Sequence, residues 1–236
     1  MNPTTVCSFW VYRPTDFPDA ADYVGMLKLL DVSCRLAGMR HVVLTDAPSS
    51  AMLPECIEFF AAMLPQNLLQ ATTAAQAEWV RATRYPAEDT VFVGADCLVL
   101  RDFRPFLRPA ELSICTFPHP TLWIMNGFIH IPAASREKVL PLFQEVAKGT
   151  RPLPANTCDD MRSWERALRP RPKELWGKQE RRGLTVRFLP EPLWNERPLS
   201  ADEPYADVHV LHFRGKPQKP MFFDWVRQHR PEFAAA

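Results

Sequence analysis

Apolar residues along this chain fall into short continuous runs, separated by longer stretches in which they recur every third or fourth position. Thr4 to Tyr12 is rich in β-branched and aromatic side chains and is bounded by Pro14 and Pro18, which predicts a buried strand. From Ala21 to Leu36 the apolar positions Val24, Leu27, Leu30 and Cys34 keep helical spacing, and the pattern stops before Gly38. His41 to Thr45 is a second strand. Strand, helix, strand in that order implies a parallel sheet covered by helices. Leu68 to Arg84 is Ala/Gln-rich, favours helix, and is ended by Pro86. Thr90 to Val93 predicts a strand, with Leu98 to Leu100 continuing as a short one. Leu112 to Phe117 and Phe128 to Ile131 are further strands. Ser135 to Ala147 reads as a helix with Ser135 as N-cap, and Cys158 to Leu168 as a shorter helix. The chain then becomes rich in Pro and Arg, with late strands at Val186 to Leu189 and Val208 to Phe213. The expected class is α/β, a mixed and mostly parallel sheet flanked by helices, in a single domain over residues 1–236.

Composition supports one ordered domain: 236 residues, 47% hydrophobic and 23% charged, fill a core and exclude a disordered chain. The net charge of +1 names no partner, but its distribution is uneven. Met161 to Arg187 holds nine Lys/Arg against three Glu, so the rest of the chain is net acidic. The six cysteines include no C-x-x-C pair and no zinc-ligand spacing, and several sit in apolar runs. Reduced thiols in a cytoplasmic protein are the expectation. No apolar run approaches the roughly 20 residues of a membrane span, and no signal peptide is apparent.

Four segments carry candidate chemistry. Asp96 follows the buried run Val91-Phe92-Val93, and a carboxylate there faces the crevice in which open α/β sheets bind ligands. An oxygen ligand at that point suits Mg²⁺ or Mn²⁺, while a turn aspartate bonding its own backbone accounts for the segment equally well. Downstream lies His209-Val-Leu-His212-Phe-Arg214-Gly-Lys216-Pro. Strand residues alternate faces, so His209 and His212 point opposite ways and only His212, next to the Gly turn, is the candidate ligand. Arg214, Lys216 and Lys219 would place cations beside a leaving diphosphate. Asn126-Gly127 lies between apolar runs, which is a hairpin signal. Asp159-Asp160 opens a helix, where carboxylates favour the macrodipole; one of them is the candidate for holding sugar hydroxyls.

Together these segments resemble the GT-A-type, Rossmann-like glycosyltransferases, in particular the glycogenin and galactosyltransferase-like retaining enzymes, over roughly residues 4–222. That family has a strand ending in Asp-x-Asp, then Leu-Val and Asp-Leu; here the sequence is Gly94-Ala-Asp96-Cys-Leu-Val-Leu-Arg-Asp102-Phe. Asn126-Gly127 matches its next strand and Asp159-Asp160 its Asp-Gln helix start. His212-Phe-Arg-Gly215-Lys-Pro-Gln-Lys219-Pro220 matches its closing His-Phe-x-Gly-x-x-Lys-Pro. Gly94 stands where the family has the first Asp, and Met221 where a closing Trp often follows.

The resemblance implies a hexose transferred from a nucleotide diphosphate sugar, UDP-sugar first, to a hydroxyl, with retained configuration. It implies Asp96 and His212 as ligands of Mn²⁺ or Mg²⁺, and Trp10, Tyr12 and Arg13 around the base. Gly215, Lys216 and Lys219 fall at the diphosphate, and Asn126, Asp159 and Asp160 at the sugar. Residues to about 110 would bind the donor, and 111–236 would close the site and receive the acceptor. The acceptor is open between a saccharide, a protein hydroxyl and a modified DNA base, the last because Met161–Arg187 interleaves Arg with Trp164 and Trp176. A catalytically inactive nucleotide-sugar binding protein is the alternative that Gly94 suggests.

Overall fold

A computed structural model describes residues 2–13, 22–154, 157–172, 174–215 and 218–235. Its elements run β1 (Thr4–Phe9), α1 (Tyr23–Leu36), β2 (Arg40–Thr45), α2 (Ala47–Ser50), β3 (Phe59–Ala61), α3 (Leu68–Ala82), β4 (Asp89–Gly94), β5 (Cys97–Val99), β6 (Leu112–Thr116) and β7 (Ile124–Ile131). They continue with α4 (Arg136–Gly149), α5 (Asp159–Ala167), β8 (Gly177–Arg181), β9 (Leu184–Pro190), α6 (Glu191–Trp194), β10 (Val210–His212), α7 (Lys219–His229) and α8 (Pro231–Ala235).

Eight strands form one mixed sheet in the order β3-β2-β1-β4-β7-β6-β9-β8. The ladders from β3 to β4 and between β6 and β9 are parallel; β7 is antiparallel to both of its neighbours and β8 to β9. Because β7 reverses twice, β4, β6 and β9 point the same way as β1 and β2, and their carboxyl ends share one edge. A second, two-stranded sheet pairs β10 antiparallel with β5 and sets His212 opposite Cys97.

The helices cover both faces. On one, α3, α4 and α5 bury Trp79, Phe143 and Trp164 against Phe92, Ile129 and Phe188. On the other, Leu30 and Cys34 of α1 meet Phe103, Phe128 and Trp194. Beyond α1, Leu98 and Leu211 of the small sheet join Phe222 and Trp225 of α7. Trp79, Trp164 and Trp225 are completely buried, and removing any of these rings costs about 3–5 kcal/mol. Local chemistry sets the ends. Asp22 caps α1 by accepting from the Gly25 N–H at 2.8 Å, and the turn after α1 runs through Gly38 at φ 71°. Asn67 caps α3, and Pro220 occupies its allowed place in the first turn of α7.

Several expectations need correction. Asn126-Gly127 is not a turn: both residues lie inside β7 (Ile124–Ile131), where its pairing with β6 shifts register between Met125 and Ile129. Ser135 precedes α4, but its side chain makes no capping bond. The short edge strands β3 and β8 and the helices α7 and α8 have no counterpart in the sequence reading. Of the two aromatics interleaved with Arg in Met161–Arg187, Trp164 is core and only Trp176 is exposed. The six cysteines are free thiols. No helix among the described residues is long and apolar enough to cross a membrane.

Candidate functional site

The shared carboxyl edge holds a cleft of about 360 Å³ lined by Trp10, Tyr12, Arg13, Asp22, Tyr23 and Asp96, among others. It opens where the loop after β1 faces the turn between β4 and β5, the position at which open α/β sheets bind ligands. Trp10 is buried in the cleft wall, and Tyr12 stands half exposed at its mouth. Arg13 is tied to Asp46, which also caps α2, at 2.8 Å. The three residues expected around a base therefore share one cleft with Asp96, with the Arg13 guanidinium already paired.

Asp96 is buried at the floor. Its Oδ1 lies 3.0 Å from His212 Nε2 and its Oδ2 lies 2.5 Å from Lys219 Nζ. Burial works against ionising this carboxyl, but its contacts with His212 and Lys219 outweigh it and hold its pKa well below the carboxylate range. Burial likewise works against charge on Lys219, and Asp96 and Tyr23 outweigh it, raising its pKa. Nζ also sits 4.9 Å from the centre of the Tyr23 ring. His212 turns its other nitrogen, Nδ1, to Asn195 Oδ1 at 2.9 Å. That bond orients the ring and leaves Nε2 facing Asp96, as donor when the imidazole is charged and as a metal ligand when it is neutral.

Two glycines make this arrangement possible. A Cβ on Gly94 would lie 2.7 Å from Asp96 Oδ1 and 2.9 Å from His212 Nε2. The position of the family's first Asp is thus filled by the pair it would have joined. A Cβ on Gly127 would lie 2.5 Å from Asn195 Oδ1, so Gly127 admits the side chain that holds His212. Close backbone approach, not a turn, is the reason for glycine inside β7.

Asp96, Cys97 and His212 offer an oxygen, a sulfur and a nitrogen within 4.8 Å of one another. The carboxylate and imidazole fit a divalent ion whose other positions are completed by ligand oxygens and water. Burial above all, and then Asp96, push the Cys97 thiol well above its usual pKa, so it is the weakest of the three donors. An ion at Asp96 competes with Lys219 for the second oxygen.

The Asp159-Asp160 pair divides. Asp160 Oδ2 accepts from Asn126 Nδ2 at 2.8 Å, and burial raises the Asp160 pKa. Asn126 is the chain neighbour of Gly127, so β7 links this pair to the Asn195–His212 pair. Asp159 is fully buried and faces Arg151 at 2.7 Å and Arg166 at 3.3 Å; burial would raise its pKa, but these bonds pull it down to about 2. Its oxygens also accept from the Arg151 backbone N–H, so its bonding capacity is taken up away from Asn126. Gly215 lies in a turn at φ 84°, and Lys216 lies outside the described residues.

Three solved structures are similar along almost the whole chain. A glycosyltransferase involved in the glycosylation of the major capsid of PBCV-1 matches with a TM-score of 0.59 at 12% identity, over 94% of this chain and 98% of that one. An active-site mutant of LgtC gives 0.51 at 14% identity over 96% of each. The fold is that of a GT-A-type glycosyltransferase. The bifunctional glycosyltransferase WbbM gives 0.52 at 12% identity; the match covers 99% of this chain and about half (51%) of that one. No family model and no curated protein sequence matches.

Within this GT-A fold, the sequence reading missed Asn195, Tyr23 and Glu191. Asn195 lies in a Pro-rich stretch without a motif, and only the bridge between Glu196 and Leu211 brings it beside His212. Tyr23 opens α1 as an ordinary helix residue. Burial raises the pKa of Glu191 against the opposing pull of Arg214 and His212, which places a half-buried carboxyl near the histidine.

Proposed function

We propose that the chain transfers a hexose from a nucleotide diphosphate sugar, a UDP-sugar first, to a hydroxyl acceptor with retention of configuration. The observation that carries this reading is the Asp96 carboxylate, which lines an aromatic cleft at the carboxyl edge of a GT-A sheet while meeting His212. Residues to about 110 supply the donor cleft. Residues 111–236 are assigned the closing and acceptor role, through Asn126, Asp160, His212 and Lys219, the last two of which contact Asp96.

In this mechanism Trp10 and Tyr12 flank the base and Arg13 shapes the wall through Asp46. Asp96 and His212 would hold Mn²⁺ or Mg²⁺, which when bound supplies Lewis-acid neutralisation of the diphosphate charge. Lys219 releases Asp96 when a diphosphate arrives and turns its charge to the leaving group, a fixed cation where negative charge develops. Asn126 and Asp160 position the sugar hydroxyls. Asp159 is assigned a supporting role, pinning the start of α5 so that Asp160 stays in place.

A thermal-shift series with UDP-glucose, UDP-galactose and GDP-mannose, with and without Mn²⁺, tests the reading. Ligand that binds only the native state raises the melting temperature, by about 2.7 kcal/mol of stabilisation at a hundred times its Kd. The expected result is a shift with one UDP-sugar that grows with Mn²⁺ and disappears in Asp96→Ala. No shift with any donor defeats it.

A further inference from the structure

A second cleft, of about 510 Å³, lies on the other side of α6 from Asp96. Leu193 and Trp194 line it, whereas Asn195, next in the chain, turns to His212. At its floor is His209, at the opposite end of β10 from His212; three residues of strand put the two histidines about 10 Å apart. The two clefts share no lining residue.

Its chemistry is distinct. Arg101, Arg108 and Arg187 line it, and no carboxylate does. Arg101 reaches the Asp207 backbone oxygen, with the Asp207 carboxylate at 4.0 Å, and Arg187 lies 3.9 Å from Glu111. The Arg108 guanidinium has no partner among the described residues. Two aromatic faces, Phe106 at 52% exposure and Trp176 at 51%, stand in solvent around it. His209 is only 5% exposed, lies between Phe106 and Trp194 at ring distances of 4.9 and 4.5 Å, and its Nδ1 has no hydrogen-bond partner. Two exposed rings, a buried His209 Nδ1 without a hydrogen-bond partner and the unpaired Arg108 guanidinium thus share one concave surface.

We propose that this cleft is a second, non-transferring saccharide site that takes a sugar ring carrying a carboxylate or a phosphate. Arginine forks grip either oxyanion with paired hydrogen bonds. Trp176 and Phe106 offer flat apolar faces to the C–H side of a pyranose, and the volume falls within the range of about 300–1,000 Å³ of small-ligand sites. A nucleic-acid strand needs successive stacking faces along its backbone; Trp164, the other aromatic of that basic segment, is in the core, which leaves Trp176 as the segment's one exposed ring. The choice of a saccharide over another anionic ring rests on the transferase reading. The preference for an anion does not.

The test is calorimetric titration of the full chain with trigalacturonate, glucose 6-phosphate, neutral maltotriose and trithymidylate. Trigalacturonate or glucose 6-phosphate should bind at least tenfold more tightly than maltotriose, and their order tells carboxylate from phosphate. Arg108→Ser and Trp176→Ala, both at the surface, should each weaken that binding at least fivefold and leave the UDP-sugar thermal shift unchanged. Equal binding of acidic and neutral sugars overturns the proposal, as does acidic-sugar binding that survives both substitutions. Tighter binding of trithymidylate than of either acidic sugar overturns it in favour of a nucleic-acid site. Acidic-sugar binding lost in the two variants, together with no shift by any donor, retains the cleft and defeats the transferase reading alone.

Discussion

Asp96 and Asp159 are both buried carboxylates held by two basic side chains, yet their surroundings differ in access. Asp159 is closed: Arg151 and Arg166 grip it, a backbone N–H takes a further position, and no other side chain among the described residues bonds to it. Asp96 lines a cleft, and its partners belong to elements far away in sequence, His212 in β10 and Lys219 in α7. Both have depressed pKa values, so charge pairing alone does not mark function. What marks Asp96 is access: it lines a cleft, and on the proposed reading its partners are ones that an incoming diphosphate would displace.

The largest effect should come from Asp96→Asn. It keeps the shape, removes the charge that His212 and Lys219 share, and should reduce transfer by about a thousandfold or more, read as sugar release at saturating donor. A folded, fully active Asp96→Asn protein would erase the contrast. Gly94→Ala comes next. Its methyl group would press Asp96 and His212 apart, costing about 1–3 kcal/mol by denaturant midpoint and weakening Mn²⁺-dependent donor binding as well. Asn195→Ala removes only the partner that orients His212, and the expected loss is about 10–100-fold in metal-stimulated activity with the fold retained.

Asp159→Ala should do the reverse. It frees two partly exposed arginines rather than a catalytic partner, so donor affinity should stay within a few-fold while stability falls by about 3 kcal/mol. The pH dependence follows from the same group. Its folded pKa of about 2 lies below the unfolded value of 3.8, so its contribution is complete above pH 4 and is lost as the pH falls from 4 toward 2. That window should account for about 2 kcal/mol of acid destabilisation, and urea unfolding at pH 5 and pH 2.5 should show it shrinking in Asp159→Ala.

Much of this frame was legible from local pattern. The strands β1, β2, β4 and β6 and the helices α1, α3 and α4 are strong periodic segments, and each was placed within a few residues. Asp96 and His212 were legible for the same reason: one ends a buried strand and the other precedes a glycine turn. Asn126-Gly127 misled, because a dipeptide that suits a tight turn also suits a strand that another side chain must approach closely. The Asp159-Asp160 pair looked uniform in sequence and split in the structure, because two arginines from different segments chose one of them.

The sequence by itself determined the alternation of strands and helices, the buried character of the sheet and the presence of a carboxylate and an imidazole at the ends of two strands. Those follow from periodicity and side-chain chemistry, which act over a few residues. Only the tertiary structure decided that Lys219 meets Asp96, that Asn195 aims His212, and that three arginines separated by up to 86 residues line one cleft. Such contacts arise where strand order and crossover connections bring distant segments together, and no local pattern in the chain encodes that distance.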